Sequence, residues 1–476
     1  MADLHLNLDR SAGGLAAQIR RELREAIRSG RLAQATRLPA TRELARDLGL
    51  SRGVVVEAYE QLVAEGLLEA RTGVGTRVAV VPRRPPSREE EPDEGPDRGP
   101  EQMTDDGPRP TTPDLGAFPR QAWLGALRHV LTTLPHEAFD YGDPGGVPAL
   151  REELAAYLRR VRAADATPDE VVIVAGVAQG VSLVMHALAA ARGGPVVLAV
   201  ENPSSVRQLP LLRRTGARIV PVPVDEEGIV VAALAGSGAQ AVLVTPAHQY
   251  PTGVVLSPGR RAELIDWATR TGAVVVEDDY DAEFRFDRDP VGCLQGLAPD
   301  RVVLAGSVSK AMAPGLRLGW IVAPPPLAVA VRTARAELDL GSPVVDQYAL
   351  AHLIGTGGYD RHLRRMRREY RIRRDALALA LAEHLPGVEV RGISAGLHLY
   401  AECGGNVDAE ELAVAAGRAG LSVEPVSAPG RNALVIGFAR LPAHRVAAAV
   451  RDMARDMARD MASLTRPPRS RRGRGR

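Results

Sequence analysis

Lys310 is the only lysine in a chain of 476 residues with 60 basic side chains; the other 59 are arginines. Both residue types serve as surface cations, so a chain this poor in lysine does not need it for solubility. An arginine guanidinium stays charged, whereas a lysine amine can lose its proton and attack a carbonyl. Against this background Lys310 reads as a nucleophile. It stands in Ser307-Val308-Ser309-Lys310, after an apolar run, with Arg317 seven residues on. Upstream, Glu277-Asp278-Asp279-Tyr280-Asp281 follows a second apolar run directly. Carboxylates in such number at a strand end ordinarily make a metal site or a solvated rim. Thr245 to Gly253 forms a compact polar turn after a third run, and Gly176-Val177-Ala178-Gln179-Gly180 ends a fourth and opens a helix. The first amides of such a helix are a ready anion site, although many strand-helix turns carry glycine.

Taken together, these residues meet the needs of a pyridoxal phosphate site: an amine for a Schiff base, an acid opposite the pyridinium nitrogen, and donors for a phosphate dianion. Lys310 supplies the amine and is the expected catalytic residue. Asp278 supplies the acid, and Tyr280 donates to the phenolic oxygen. Ser307, Ser309, Arg317 and the helix opening at Val177 and Ala178 hold the phosphate, and Tyr250 joins the cofactor set. No metal is expected.

The elements that must position these side chains are visible in the patterning. Short apolar runs at 171–174, 196–200, 217–222, 241–244, 273–276 and 302–304 alternate with helical segments such as 181–191 and 260–271. That alternation predicts an α/β sheet with helices on both faces, and ligands then sit at strand ends and helix N-termini.

A different pattern precedes it. Leu15, Ile19, Leu23 and Ile27 share one helical face, and Gly30 closes that helix. Thr41 is placed to cap a short helix through Leu48, and Gly49-Leu50 makes a turn. Ser51 is placed to cap a third helix from Arg52 to Glu65, with Val55, Ala58, Tyr59 and Leu62 inward. Two short strands follow, at 68–71 and 76–80, around Thr72-Gly73-Val74-Gly75. Three helices and a Gly-tipped hairpin describe a winged helix-turn-helix, whose third helix enters the major groove N-terminus first. Arg52 stands at that end with Ser51. Arg42 can bind a phosphate at the start of the second helix, and Gly73 and Gly75 let the wing approach a groove. The competing reading is a small helical packing domain with merely solvated arginines.

Between the two patterns, residues 83–113 hold nine acids against five arginines and almost no large apolar residue. Such a segment cannot bury enough surface to fold, and its prolines favour extension. The expected domains are a winged helix-turn-helix over 1–82, a linker over 83–113, a large α/β domain over 114–463 and a basic tail over 464–476. The Arg-Asp-Met-Ala repeat from Arg451 reads as the lengthened end of the last helix. A net charge of +2 makes any nucleic-acid contact local. Two cysteines exclude a disulfide scaffold, and no apolar run approaches a membrane span. A cytoplasmic protein, associated with the nucleoid through DNA, is expected.

The N-terminal run Gly30-Arg31-Leu32, Leu38-Pro39-Ala40-Thr41-Arg42, Leu48-Gly49-Leu50-Ser51-Arg52, Ala58-Tyr59 and Gly66-Leu67-Leu68 resembles the GntR-type regulators over about residues 12–80. Gly53-Val54 stands where that family usually has a polar pair, and Ala40 where it commonly has Ser; both bear on operator preference. The run from His248 to Gly253, Glu277 to Asp281 with Glu283-Phe284, and Ser309-Lys310 with Pro314, Arg317, Leu318 and Gly319 resembles fold-type I aminotransferases. It resembles specifically the MocR (GabR-like) branch, in which a linker joins the two domains. The resemblance implies a transcription regulator that binds operator DNA as a head-to-tail homodimer. By the same resemblance it is expected to sense pyridoxal phosphate, sometimes with an amine or amino-acid effector, through an aldimine at Lys310. Two departures stand out. Glu201-Asn202-Pro203-Ser204-Ser205 lacks the family's aromatic stacked on the cofactor ring, so stacking must come from elsewhere. The arginine for an effector carboxylate falls in Pro425 to Arg431, where Arg431 is the candidate; without it, the cofactor itself is the expected signal. The alternatives are a working aminotransferase with an appended DNA-binding domain, and a regulator that has lost its cofactor and keeps the large domain for dimerisation.

Overall fold

The computed structural model describes residues 6, 8–71, 75–79, 109–286, 292–405, 407–428 and 431–464, in two units that divide between Thr104 and Asp105. Gly73, most of the expected linker and all of the expected basic tail but Leu464 lie outside the described residues.

The first unit contains α1 (Leu15–Arg28), α2 (Thr41–Leu48), α3 (Arg52–Ala64), β1 (Leu68–Arg71) and β2 (Gly75–Val78). Ile19, Leu23 and Ile27 of α1 meet Val55, Ala58, Tyr59 and Leu62 of α3 in one core. Gly49 has φ 62°, the left-handed conformation that turns the chain sharply from α2 into α3. Arg24 of α1 pairs with Glu65 at the end of α3, 2.6 Å between Nη2 and Oε1. The hairpin is antiparallel, with Leu68 opposite Val78 and Arg71 opposite Gly75. The caps differ from the expectation. Ala40, not Thr41, is the N-cap of α2, and its amide donates to Glu43 Oε2 at 3.1 Å. Ser51 holds the N-cap position of α3, but its hydroxyl makes no capping bond.

The second unit opens with α4 (Arg120–Thr133) and α5 (Pro148–Arg162), then β3 (Val171–Val174), α6 (Val177–Arg192), β4 (Val197–Asn202), α7 (Leu209–Arg214), β5 (Arg218–Asp225) and β6 (Gly228–Ile229). There follow β7 (Ala241–Val244), α8 (Pro258–Thr271), β8 (Val274–Asp278), β9 (Val302–Ser307), β10 (Gly319–Val322), α9 (Pro325–Leu338), α10 (Val344–Gly355) and α11 (Gly358–His384). These build an eight-stranded sheet in the order β3-β10-β9-β8-β7-β4-β5-β6. Neighbours from β9 to β5 are parallel, while β10 runs against β3 and β9. All four residues of β3, β7 and β10 are buried, as expected of strands covered on both faces.

A second sheet went unseen in the patterning. It contains β11 (Val388–Arg391), β12 (His398–Cys403), β13 (Ser422–Ala428) and β14 (Arg431–Gly437), all antiparallel in the order β11-β12-β14-β13, with α11 and α12 (Ala409–Arg418) packed on it and α13 (Ala443–Leu464) packed on those two helices. Among the described residues no helix is long and apolar enough to cross a membrane.

The linker expected over 83–113 is shorter at its far end. Pro110 and Pro113 are buried, and Asp114 is tied to Arg373 at 2.9 Å. Proline contributes apolar surface even where the composition reads as unfolded, and here that surface finds a partner.

Candidate functional site

The parallel strands β7, β8 and β9 lie side by side, so their carboxyl ends bring three of the singled-out segments together. Alternation along β8, continued past its end, sends Glu277 and Asp279 to one side and Asp278 and Tyr280 to the other. On the first side Arg162 takes Asp279 through bonds of 2.7 and 2.8 Å. Glu277 Oε2 accepts from the amides of Leu294 and Gln295 at 2.8 and 3.2 Å. On the other side Asp278 is hydrogen-bonded to Gln208 and lies in the field of Lys310. Burial, then the neighbouring Asp279, pushes its carboxyl up to about 7. Its Oδ1 is buried with no hydrogen-bond partner. An orphaned carboxylate oxygen is costly unless a donor meets it, so Asp278 fits a protonated ring nitrogen.

Lys310 lies three residues past β9 and is half-buried. Its Nζ donates to Thr111 Oγ1 at 2.9 Å. Burial brings the amine down to about 8, against the pull of Asp281 and Asp278. Tyr280 Oη lies 3.2 Å from His248 Nδ1 and is hydrogen-bonded to Asp281, which is itself 2.9 Å from the same Nδ1. Burial, with Asp281 beside it, holds the phenol well above its usual range, so Tyr280 remains a donor.

His248, Asp281 and His398 are all buried, with donor atoms within 4.8 Å of one another, the spacing of a loose metal-ligand trio. His248 and Asp281 are hydrogen-bonded into the network around Tyr280, whereas His398 Nε2 lies 3.3 Å from the Pro251 carbonyl oxygen. Burial and the adjacent His248 hold His398 well below the usual imidazole range, hence neutral.

Arg317 meets the opening of α6. Gly176 has φ 118°, and a Cβ there would stand 3.2 Å from Arg317 Nη2. Arg317 itself adopts φ 50°. The guanidinium is thus held against the opening of α6 at Val177 and Ala178, whose amides have no acceptor within the helix. Ser307 is buried, its Oγ accepting from the Ser309 amide at 3.3 Å. Tyr250 stands edge-on to Tyr280, 6.2 Å between ring centres, but its hydroxyl bonds to Glu424 of β13. Arg431 donates to the Val224 carbonyl at 3.0 Å and bonds to Tyr400. A cavity of about 530 Å³ opens beside Tyr250, lined by Asn202, Pro203, Arg213 and Glu424 among others.

Thr111, Gln208, His248 and His398 were not singled out as site residues. His248 had a signal, standing before Pro-Thr-Gly at a strand end; Thr111, within a Pro-rich polar stretch, had none.

In the first unit Arg42, Ser51, Arg52 and Gly75 are all exposed. Arg42 is the second residue of α2 and Arg52 the first of α3, so both stand at helix N-termini. Gly75 has φ 99°, and the Arg37 side chain packs beside it. Arg37 is exposed at the hairpin, and no local pattern in the sequence marks it.

Residues 15–78 match the model of the bacterial regulatory proteins of the gntR family, and residues 114–452 match aminotransferase class I and II. Curated relatives span nearly the whole chain. The pyridoxine biosynthesis transcriptional regulator PdxR of Corynebacterium glutamicum is 33% identical over 85% of this chain and 86% of its own. The probable rhizopine catabolism regulatory protein MocR of Rhizobium meliloti is 32% identical over 91% and 92%. The regulator TauR of Rhodobacter capsulatus is 32% identical over 87% and 89%. Among solved structures, the α-aminoadipate aminotransferase LysN of Thermus thermophilus superposes with a TM-score of 0.66 at 26% identity, over 74% of this chain and 92% of that one. It was solved with N-(5'-phosphopyridoxyl)-L-leucine. An archaeal alanine:glyoxylate aminotransferase superposes at 0.65 with 26% identity, over 72% and 88%. With a GntR-type helix-turn-helix followed by a fold-type I aminotransferase unit, the chain belongs to the MocR subfamily of GntR regulators.

Proposed function

We propose that this protein is a DNA-binding transcription regulator whose aminotransferase-like unit holds pyridoxal phosphate at Lys310 and responds to it, or to an amine or amino acid that competes for it. The observation that carries the reading is the pairing of an amine brought down to about 8 with a half-buried acid whose Oδ1 has no partner. Pyridoxal phosphate supplies an aldehyde carbon and a ring nitrogen whose protonation draws electrons. The residues divide the work. Asp278 Oδ1 holds the proton on that nitrogen. Tyr280 Oη, kept protonated by its burial, donates to the phenolic oxygen, and the His248–Asp281 pair fixes its orientation. Ser307, Ser309, Arg317 and the amides of Val177 and Ala178 bind the phosphate. Lys310 Nζ is the nucleophile. A fraction of amine near neutral pH is unprotonated because burial disfavours the charge.

In the first unit Arg52 and Ser51 present the head of α3 to the major groove, Arg42 binds phosphate, and Gly75 lets the wing approach a groove. A head-to-tail homodimer would present two such heads to operator half-sites. Cytoplasmic location follows from the same reading.

The intact Lys310–Asp278 pair also permits a working aminotransferase. Steady keto-acid release from an amino donor supports the enzyme; a single half-turnover supports the sensor. The reading itself is tested by the visible spectrum of purified protein and of Lys310→Ala, before and after borohydride. Promoter binding is measured in parallel, with and without pyridoxal phosphate. A reducible band lost in the variant, with DNA affinity that shifts on adding cofactor, is the expected result. An identical reducible band in Lys310→Ala contradicts the assignment.

A further inference from the structure

The chain that joins the two units re-enters the described structure at Arg109, and its first residues run directly to Lys310. Pro110 is buried against Gly437 at the end of β14. A Cβ on Gly437 would stand 2.7 Å from the Pro110 Cα and closer still to its carbonyl oxygen. The Thr112 amide donates to the Arg109 carbonyl at 2.9 Å, closing a turn. Asp114 is fixed from two sides, its amide donating to Tyr370 Oη at 2.9 Å and its carboxylate paired with Arg373 at 2.9 Å. Between these anchors, Thr111 Oγ1 accepts from Lys310 Nζ at 2.9 Å, across 199 residues of sequence.

We propose that Thr111 is a positioning residue for the Lys310 amine, and that this bond makes the turn Arg109–Thr112 report whether the lysine is covalently occupied. The proposal rests on the cofactor reading given above. An ammonium nitrogen has three hydrogens to give and a free amine two. When Nζ condenses with an aldehyde, the carbonyl oxygen leaves as water with two hydrogens from the amine, and a carbon–nitrogen double bond forms. The nitrogen keeps at most one hydrogen. Its position is then set by the new bond, and Thr111 loses the donor that holds it. The residues released are the turn Arg109–Thr112, so the state of one lysine is read out at that turn through a single hydroxyl. A threonine that merely packed would not depend on Lys310.

The test uses the full-length protein, Thr111→Val and Thr111→Ser, each with and without saturating pyridoxal phosphate. Borohydride trapping and peptide mass report occupancy of Lys310. Hydrogen exchange of peptides spanning residues 109–118 reports the turn. Its informative amides are those of Thr111, Thr112 and Asp114, since Pro110 and Pro113 have none. Loss of one hydrogen bond to a charged group predicts exchange faster by roughly tenfold at Thr112. We expect that rise on adding cofactor to the wild type and to Thr111→Ser. Thr111→Val should exchange fast in both conditions while still being trapped at Lys310. Full trapping in the wild type with no change in exchange overturns the proposal, as does a Thr111→Val protein that matches the wild type in both conditions. Absence of trapping at Lys310 in the wild type overturns the cofactor reading, and the proposal with it.

Discussion

Arg162 holds Asp279 through two hydrogen bonds of 2.7 and 2.8 Å, with both side chains almost fully buried. The pair decides what a run of four acids and a tyrosine does. It draws Asp279 to the side of Glu277, and backbone alternation leaves Asp278 and Tyr280 facing the site. Removing one member of a buried pair strands a charge and costs about 3–5 kcal/mol. Arg162→Leu is therefore expected to lose stability of that order in urea unfolding, and Arg162→Leu with Asp279→Leu to recover most of it. A double variant as unstable as the single one would contradict a paired role.

Asp278→Asn keeps the shape and removes the carboxylate. A hydrogen bond to a charged group is worth about 1.5–3 kcal/mol, or roughly 10- to 100-fold in affinity. An absorbance titration should show pyridoxal phosphate binding weakened by that factor. Unchanged affinity would remove Asp278 from the ring nitrogen.

The amine of Lys310 is expected to titrate near pH 8 rather than at 10.5. Between those values the unfolded chain holds a proton that the folded chain has released. The unfolded state binds more protons there, so stability rises with pH across that window. Burial penalises the charged amine fully below about pH 8, and the penalty fades above it. Since the chain has one lysine, competitive labelling with acetic anhydride, read by peptide mass, follows this group apart from the N-terminal amine. A midpoint near 10.5 would contradict the buried setting.

Much of the candidate site's geometry was legible because its residues are unusual for their surroundings or sit at strand ends. Lys310 stood out against 59 arginines. The buried runs that became β3, β7, β8 and β9 placed Asp278, Tyr280 and Ser307 at carboxyl ends. What the patterning missed depends on partners distant in sequence. Asp114 meets Tyr370 across 256 residues, and nothing local distinguishes Pro110 or Thr111 from the acidic, Pro-rich stretch before them. The second sheet escaped for a local reason: β13 carries Pro425, and β12 mixes His398 and Glu402 with apolar residues. The cap at Thr41 failed because the helix begins one residue earlier than a hydroxyl cap requires, with Glu43 satisfying the Ala40 amide instead.

Gly176→Ala should strain the backbone at φ 118° and push on Arg317, 3.2 Å from the added Cβ. A non-glycine residue held there costs about 1–3 kcal/mol. A lower Tm and faster loss of pyridoxal phosphate on dialysis are expected. Unchanged retention would detach the opening of α6 from the phosphate.

Arg42 and Arg52 are the arginines proposed to contact DNA. Each alanine substitution should weaken promoter binding. If the contact is to phosphate, the salt dependence of log affinity should also fall by about one charge. Base contact by Arg52 would instead relax sequence preference. Binding unchanged in both variants would move the interface elsewhere on the first unit.

The central claim is that Lys310 is the covalent partner of pyridoxal phosphate. Reduction of the full-length protein with borohydride in the presence of the cofactor, followed by peptide mapping, addresses it most directly. The account predicts a phosphopyridoxyl group on the peptide containing Ser307 to Lys310, and none on Lys310→Ala. Recovery of that peptide unmodified from a protein saturated with pyridoxal phosphate would contradict it.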